Sequence, residues 1–146
     1  MDIGSNDIML EGSSLLFKSL KYHPSLSILN IANHDRLHRN RIGVNACRDL
    51  RDMIYENKIL SQLNIADNRI GNDGLKIIAP AFNQECTLAI LNLQNNDLEG
   101  ITISNCLSTY LKSSRNLLEI NIGSNNMGDE TLIKFSEIFQ DNTCHL

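Results

Sequence analysis

The chain is 146 residues long, a length that suits one domain and suffices to bury a core. With 42% apolar residues it is too hydrophobic for intrinsic disorder, and its net charge of −4 with a pI near 5.5 argues against general nucleic-acid binding. Leucine (21) and isoleucine (18) dominate and tryptophan is absent, while asparagine reaches 19, an excess that argues against a membrane protein or a coiled coil.

The chain opens on Ile3-Gly4-Ser5-Asn6 followed by Ile8, and the same four letters return as Ile122-Gly123-Ser124-Asn125. After Asn6, Ser13, Leu16 and Leu20 fall on one helical face. Leu26, Leu29 and Ile31 begin a second copy, which Ala32 to Arg39 interrupt before Asn40-Arg41-Ile42-Gly43 resume it. Its helical face is Cys47, Leu50 and Ile54. The third copy runs uninterrupted through Leu60, Leu63 and Ile65 to Asn68-Arg69-Ile70-Gly71, and then to Leu75, Ile78 and Phe82. Leu88, Leu91, Leu93, Asn96 and Leu98 lead in the same way to Ile103, Cys106 and Tyr110. Leu117, Ile120, Ile122, Asn125 and Met127 lead to Leu132, Phe135 and Phe139. Asn6, Asn40, Asn68, Asn96 and Asn125 stand 34, 28, 28 and 29 residues apart, so the period is near 28 and the first interval holds about six extra residues. Alternation such as Leu63-x-Ile65 predicts a short strand, and each unit reads strand, loop, amphipathic helix, return loop. Asn72 or Asp73, and Asp129, occupy N-cap positions, and Pro80 predicts a kinked or shortened helix.

This grammar resembles that of leucine-rich repeats, and its period resembles the ribonuclease-inhibitor-like subfamily; five coincident copies cover essentially the whole chain. The resemblance implies an α/β fold: a leucine-rich-repeat solenoid, or horseshoe arc, of about five repeats with a concave parallel β-sheet and convex α-helices. Stacking is a physical requirement as well, since no single unit can bury its apolar face without neighbours. Residues 1–146 read as a single leucine-rich-repeat domain, a partial or embedded array, because Met1 falls inside a strand unit and Leu146 is the first leucine of a further copy.

The repeated asparagines Asn6, Asn40, Asn68, Asn96 and Asn125 are assigned a structural task. An amide offers donors and an acceptor to backbone groups that lose their ladder partners where the chain leaves the strand. A second column, Asp2, Asn30, Asn64, Asn92 and Asn121, faces the concave side beside Gly4, Ala32, Ala66, Gln94 and Gly123. Stacked amides at adjacent strand positions favour a mutual ladder over a binding site. The insertion carries His34, Arg36, His38 and Arg39, with Arg41 just beyond it. Five of the seven arginines lie between residues 36 and 51, where Asp49 is the one acid. Loops of this kind project from a rim, and guanidinium groups grip carboxylates or phosphates. The candidate partner-binding set is therefore Asn30, His34, Arg36, His38, Arg39, Arg41, Asn64, Asn92, Gln94 and Asn121. Charge is uneven too: residues 1–72 sum to +1 and residues 73–146 to −5. Ser13, at a helix-face position that is otherwise apolar, predicts partial exposure of the first helix.

Catalytic chemistry is missing. His34 and His38 lack a third ligand, so no metal site is expected, and no P-loop, G-x-S-x-G or G-x-G-x-x-G motif implies a cofactor. Cys47 and Cys106 fall on helix core positions, and Cys86 and Cys144 share a repeat position two residues before a strand leucine; no C-x-x-C spacing occurs. No signal peptide or membrane span is evident, which points to the cytoplasm, including a cytoskeletal or ciliary setting. The leading expectation is a non-enzymatic interaction or scaffold module. It would bind a protein partner through the concave face and the 32–41 rim loop, alone or as a subunit of a larger assembly. Regulation of an enzyme such as a small GTPase, and a structural role in a cytoskeletal or ciliary assembly, are the alternatives that the resemblance implies.

Overall fold

The computed structural model describes residues 1–34 and 37–140. Apolar residues at period two and period 3.6 alternate along the chain, and the backbone follows them. Helix α1 (Leu10–Leu20) precedes strand β1 (Ile28–Asn30). Then come α2 (Gly43–Glu56), β2 (Gln62–Asn64), α3 (Gly71–Ile78), β3 (Ile90–Asn92), α4 (Thr102–Ser113), β4 (Glu119–Asn121) and α5 (Gly128–Gln140). Pro80 ends α3 early, and residues Ala79–Ala81 form a single 3-10 turn. The strands form one parallel sheet in the order β1-β2-β3-β4. Register places Leu29, Leu63, Leu91 and Ile120 in one row and Asn30, Asn64, Asn92 and Asn121 in another. The first residues extend the sheet beyond β1: Asp2 bridges Asn30, and the Ile3 N–H donates to the Asn30 carbonyl at 2.9 Å.

Between the sheet and the helix layer lies one apolar core. The strand leucines and Ile31, Ile65 and Leu93 fill it from one side; Phe17, Leu50, Met53, Ile78 and Leu107 fill it from the other. Each such side chain stabilises the stack by about 1.5–3 kcal/mol, and only because a neighbouring repeat covers it. The Phe82 and Tyr110 rings stack at 5.3 Å, and the Tyr110 hydroxyl donates to the Leu88 carbonyl at 2.8 Å. Burial pushes the Tyr110 phenol well above its ordinary range and the Cys47 thiol up to about 12, so both stay neutral packing groups.

The repeated asparagines knit consecutive repeats together. Asn96 Oδ1 accepts the N–H groups of Asn68 (3.0 Å) and Ile70 (3.4 Å) from the preceding repeat. Its Nδ2 donates to the Ile65 carbonyl of that repeat at 2.9 Å and to its own Gln94 carbonyl at 3.2 Å. Asn125 repeats the pattern against Asn96 and Leu98 N–H groups and the Leu93 carbonyl; Asn40 repeats it against Asn6, Ile8 and the Ile3 carbonyl. Asn6 departs from it. Its side chain is exposed and donates only to the Gly4 carbonyl. A further buried asparagine, Asn57, does comparable work at the other end of the helices. Its amide accepts from Ile59 and Leu60 N–H groups and donates to the Leu20 carbonyl of the preceding repeat.

Several sequence expectations need correction. Neither Asn72 nor Asp73 caps α3; the residue before the helix is Ile70, with no side-chain cap, because Gly71 at φ +65° makes the sharp entry itself. Asn72 instead exchanges two hydrogen bonds with the Glu99 backbone of the next repeat, and Asp73 pairs with Lys76. Asp129 lies within the first turn of α5 rather than before it. In α5 the buried face is Thr131, Phe135 and Ile138, leaving Leu132 53% and Phe139 52% exposed. The register of that helix is turned because it packs on α4 alone among the described residues. Ser13 is fully buried under α2, and its hydroxyl has no partner. Leu16 and Cys106 are half-buried.

The insertion disturbs one link of the asparagine chain. By the repeat pattern Asn68 Oδ1 should accept the Asn40 N–H, but that group donates to Asn33 Oδ1 at 2.6 Å. Asn33 Nδ2 in turn donates to the carbonyls of Asn40 (2.9 Å) and Asp67. Asn68 Oδ1 is left buried and without a partner among the described residues. Deleting residues 34–39 restores the uninterrupted spacing of the third copy and returns the Asn40 N–H to Asn68. We expect the shortened protein to gain about 1 kcal/mol in urea unfolding, with a raised thermal midpoint; a lower midpoint would show that the loop supports the stack.

Candidate functional site

Parallel strands three residues long present alternate side chains to the outer sheet face. Ile28, Gln62, Ile90 and Glu119 form one row there and Asn30, Asn64, Asn92 and Asn121 the next. A cleft of about 450 Å³ runs across this face, with Asp2 and Glu119 as the only charged side chains in its lining. Ile28, 46% exposed, gives it an apolar contact surface.

The asparagine row is not an amide ladder. Each carbonyl oxygen folds back onto the backbone two residues on: Asn30 accepts from Ala32 N–H, Asn64 from Ala66, Asn92 from Gln94 and Asn121 from Gly123, at 2.9–3.2 Å. That local turn competes with side-chain pairing between strands and wins, because it satisfies an N–H at the end of a very short strand. It also fixes the amides so that Nδ2 points outward. Asn30 Nδ2 is spent on Asp2 (3.0 Å) and on His34 Nε2 (3.3 Å); Asn121 Nδ2 is spent on Gln94 Oε1 (3.1 Å). Asn64 and Asn92 Nδ2 have no hydrogen-bond partner among the described residues.

Of the sequence-derived set, the sheet face thus brings together Asn30, His34, Asn64, Asn92, Gln94 and Asn121. His34 reaches it because the insertion starts over the sheet: the His34 N–H donates to Ser5 Oγ at 2.7 Å. Its ring lies so close to Gly4 that a Cβ there would stand 2.9 Å from His34 Cδ2 and 2.6 Å from the Ala32 oxygen. His38, Arg39 and Arg41 belong to a different part of the rim, and Arg36 lies outside the described residues. Asp7 fastens this part, accepting the Arg39 N–H at 2.9 Å and facing His38 Nδ1 at 2.8 Å. Arg39 is half-buried, with Nε enclosed and unpaired, so it does not project as the sequence suggested. Arg41 is exposed and makes no ion pair among the described residues. Asp7, missed by sequence reading, carries no motif; only its fold position reveals it.

Among the described residues no group of three His, Cys, Asp or Glu side chains is placed to hold a metal ion. Cys47 and Cys86 are buried free thiols and Cys106 a half-buried one, each with its thiol pushed up by burial; Cys144 lies outside the described residues. No helix of the described residues is long and apolar enough to cross a membrane.

A parallel strand row backed by helices, with an asparagine amide at each turn, defines the class: the chain is a leucine-rich repeat protein. The sequence model of that family, described as Leucine Rich repeat, matches residues 56–79 and 113–136. Among curated proteins the chain is 28% identical over 149 residues to NACHT, LRR and PYD domains-containing protein 14 of Homo sapiens, covering all of this chain and 13% of that protein. It is 31% identical over 104 residues to NACHT, LRR and PYD domains-containing protein 3 of Homo sapiens, covering 68% of this chain and 10% of the relative. The chain therefore spans about an eighth or less of the length of these relatives. Among solved structures, "Leiomodin-1 Actin-Binding Site 2 (ABS2)" superposes with a TM-score of 0.75 at 20% identity, covering 97% of this chain and 79% of that one; the likeness is one of fold.

The Asp7 fastening has a defined pH dependence. The His38 contact, and after it the Arg39 N–H, hold the Asp7 carboxyl below its ordinary 3.8. A carboxylate with a depressed folded pKa stabilises the fold above its unfolded value and loses that contribution as pH falls through the folded one. A carbon-detected NMR titration should place the Asp7 midpoint below 3.8, with loss of Arg39 amide protection at the same pH. A midpoint at or above 3.8 would mean that the contact does not persist in solution.

Proposed function

We propose that residues 1–146 act as one non-enzymatic repeat domain whose sheet face binds a protein partner. The observation that carries this reading is the pair of unspent amide donors on Asn64 and Asn92, set beside Ile28 and Ile90 in an open cleft. Surfaces that bind proteins combine apolar area with a few directed polar groups. Gln94 and Asn121 hold each other in place at one flank, and His34 covers Asn30 at the other, so the central two strands offer the contact. At the rim Arg41 adds a free guanidinium to the surface. The names of the relatives support an interaction role in general; actin, named for the structural neighbour, is not carried over at that identity.

Partner capture by immobilised protein tests the reading. Replacing Asn64 and Asn92 together by arginine fills the cleft and should reduce capture about tenfold or more, with the thermal midpoint lowered only by loss of the bonds to the Ala66 and Gln94 N–H groups. Arginine at the exposed helix positions Asn45 and Asn105 should leave capture intact. The reverse pattern would move the binding surface to the helix layer.

A further inference from the structure

Resting on the sheet-face reading, we propose that the occupant of the cleft is an extended, basic polypeptide segment. It would set an aliphatic side chain on Ile90 and a lysine or arginine on the neighbouring Glu119.

Several groups on the face still lack hydrogen-bond partners. Asn64 and Asn92 sit in register on adjacent strands, about 4.8 Å apart. Each carbonyl oxygen already accepts one backbone N–H, whereas both Nδ2 donors are unused, so the two amides present donors ahead of acceptors. Donors on adjacent strands call for acceptors without side-chain specificity, and main-chain carbonyls of an extended segment crossing the strands supply them. An acidic side chain is the other source of acceptors, and the charges on the face exclude it. No lysine or arginine lines the cleft among the described residues, its two charged side chains are both acids, and the Met1 ammonium in its lining already donates to the Ile28 carbonyl at 2.8 Å.

Those two acids are not equivalent. Asp2 is already compensated: its oxygens accept from the Gly4 N–H (3.0 Å) and from Asn30 Nδ2 (3.0 Å), which hold its carboxyl below the ordinary range. Glu119 is exposed, and its carboxylate makes no hydrogen bond or ion pair among the described residues. A partner that covers the cleft removes water from this carboxylate, and an uncompensated covered charge is costly unless a cation arrives with the partner. Glu119 is paired in register with Ile90, so the cation and the aliphatic contact fall on neighbouring strands. Charge over a wider range agrees, since residues 73–146 carry a net −5.

Display of random nonapeptides on phage, selected against the wild-type protein, E119K and N64A/N92A, tests the proposal. Wild type should enrich lysine or arginine near an aliphatic residue, and the synthesised winners should bind at least about fivefold more weakly to E119K, the difference shrinking in 0.5 M salt. E119K should enrich aspartate or glutamate at the same position. Winners that lose binding to N64A/N92A but ignore E119K would overturn the charge assignment and leave the sheet-face reading standing. Winners indifferent to N64A/N92A would contradict the sheet-face reading as well. Enrichment of acidic peptides by wild type, or of none at all, would overturn the proposal, with the capture experiment above still deciding whether a folded partner uses the face. An unchanged thermal midpoint for E119K, and an unchanged far-ultraviolet circular dichroism spectrum for N64A/N92A, establish that the differences are local.

Discussion

A single carboxamide per repeat joins each turn to the one before it. Asn96 accepts two N–H groups of the preceding repeat, donates to one of its carbonyls, and donates to one of its own. The backbone around it is bent for the purpose: Asn95 and Asp97 stand at φ 51° and 57°, and Asp67 and Arg69 flank Asn68 at 57° and 54°. Such left-handed pairs cost energy for residues other than glycine, and the amide's four bonds offset that cost. The fixed turn then fixes the strand register, which sets the amides of Asn64 and Asn92 side by side on the outer face.

The insertion shows what the constraint is worth locally. In the second copy neither Arg39 nor Arg41 takes the left-handed conformation seen around Asn68 and Asn96. Asn33 takes over the Asn40 N–H, and the loop is closed at its base by the same side chain. One core acceptor, Asn68 Oδ1, is left without a partner among the described residues. The loop gains attachment elsewhere, through Asp7 on the rim and Ser5 below His34. The extra residues are therefore held at both ends, and Arg39 at the second of them is half-buried.

Features that recur at a fixed spacing were legible in the sequence, since repetition separates a structural requirement from chance. The strand leucines and the turn asparagines belong to this kind, and the break at Pro80 was legible for a separate reason, the missing N–H of proline. What depends on one side chain choosing between two near partners was not. Asn72 reaches the next repeat instead of capping its own helix, because Gly71 already makes the turn. The concave asparagines bond backward to their own chain rather than to each other, a choice decided by the shortness of the strands. Asn57 escaped notice because the matching position three residues before Leu117 is Ser114, whose hydroxyl accepts the N–H groups of Asn116 and Leu117. The face of α5 was misread by one residue, since the pattern of the inner helices assumes a neighbour on both sides. Arg36 lies outside the described residues, and its part in the rim rests on sequence alone.

The turn amide is the element that couples one repeat to the next. The most direct measurement is the free energy of urea unfolding for Asn96→Ala beside Asn6→Ala. Asn96→Ala should lose about 3 kcal/mol or more, because it strands buried donors and acceptors in two repeats at once. Asn6→Ala should lose less than about 1 kcal/mol, since its exposed side chain makes one local bond. Equal losses at the two positions would contradict the coupling and reduce the repeated asparagine to a local turn preference.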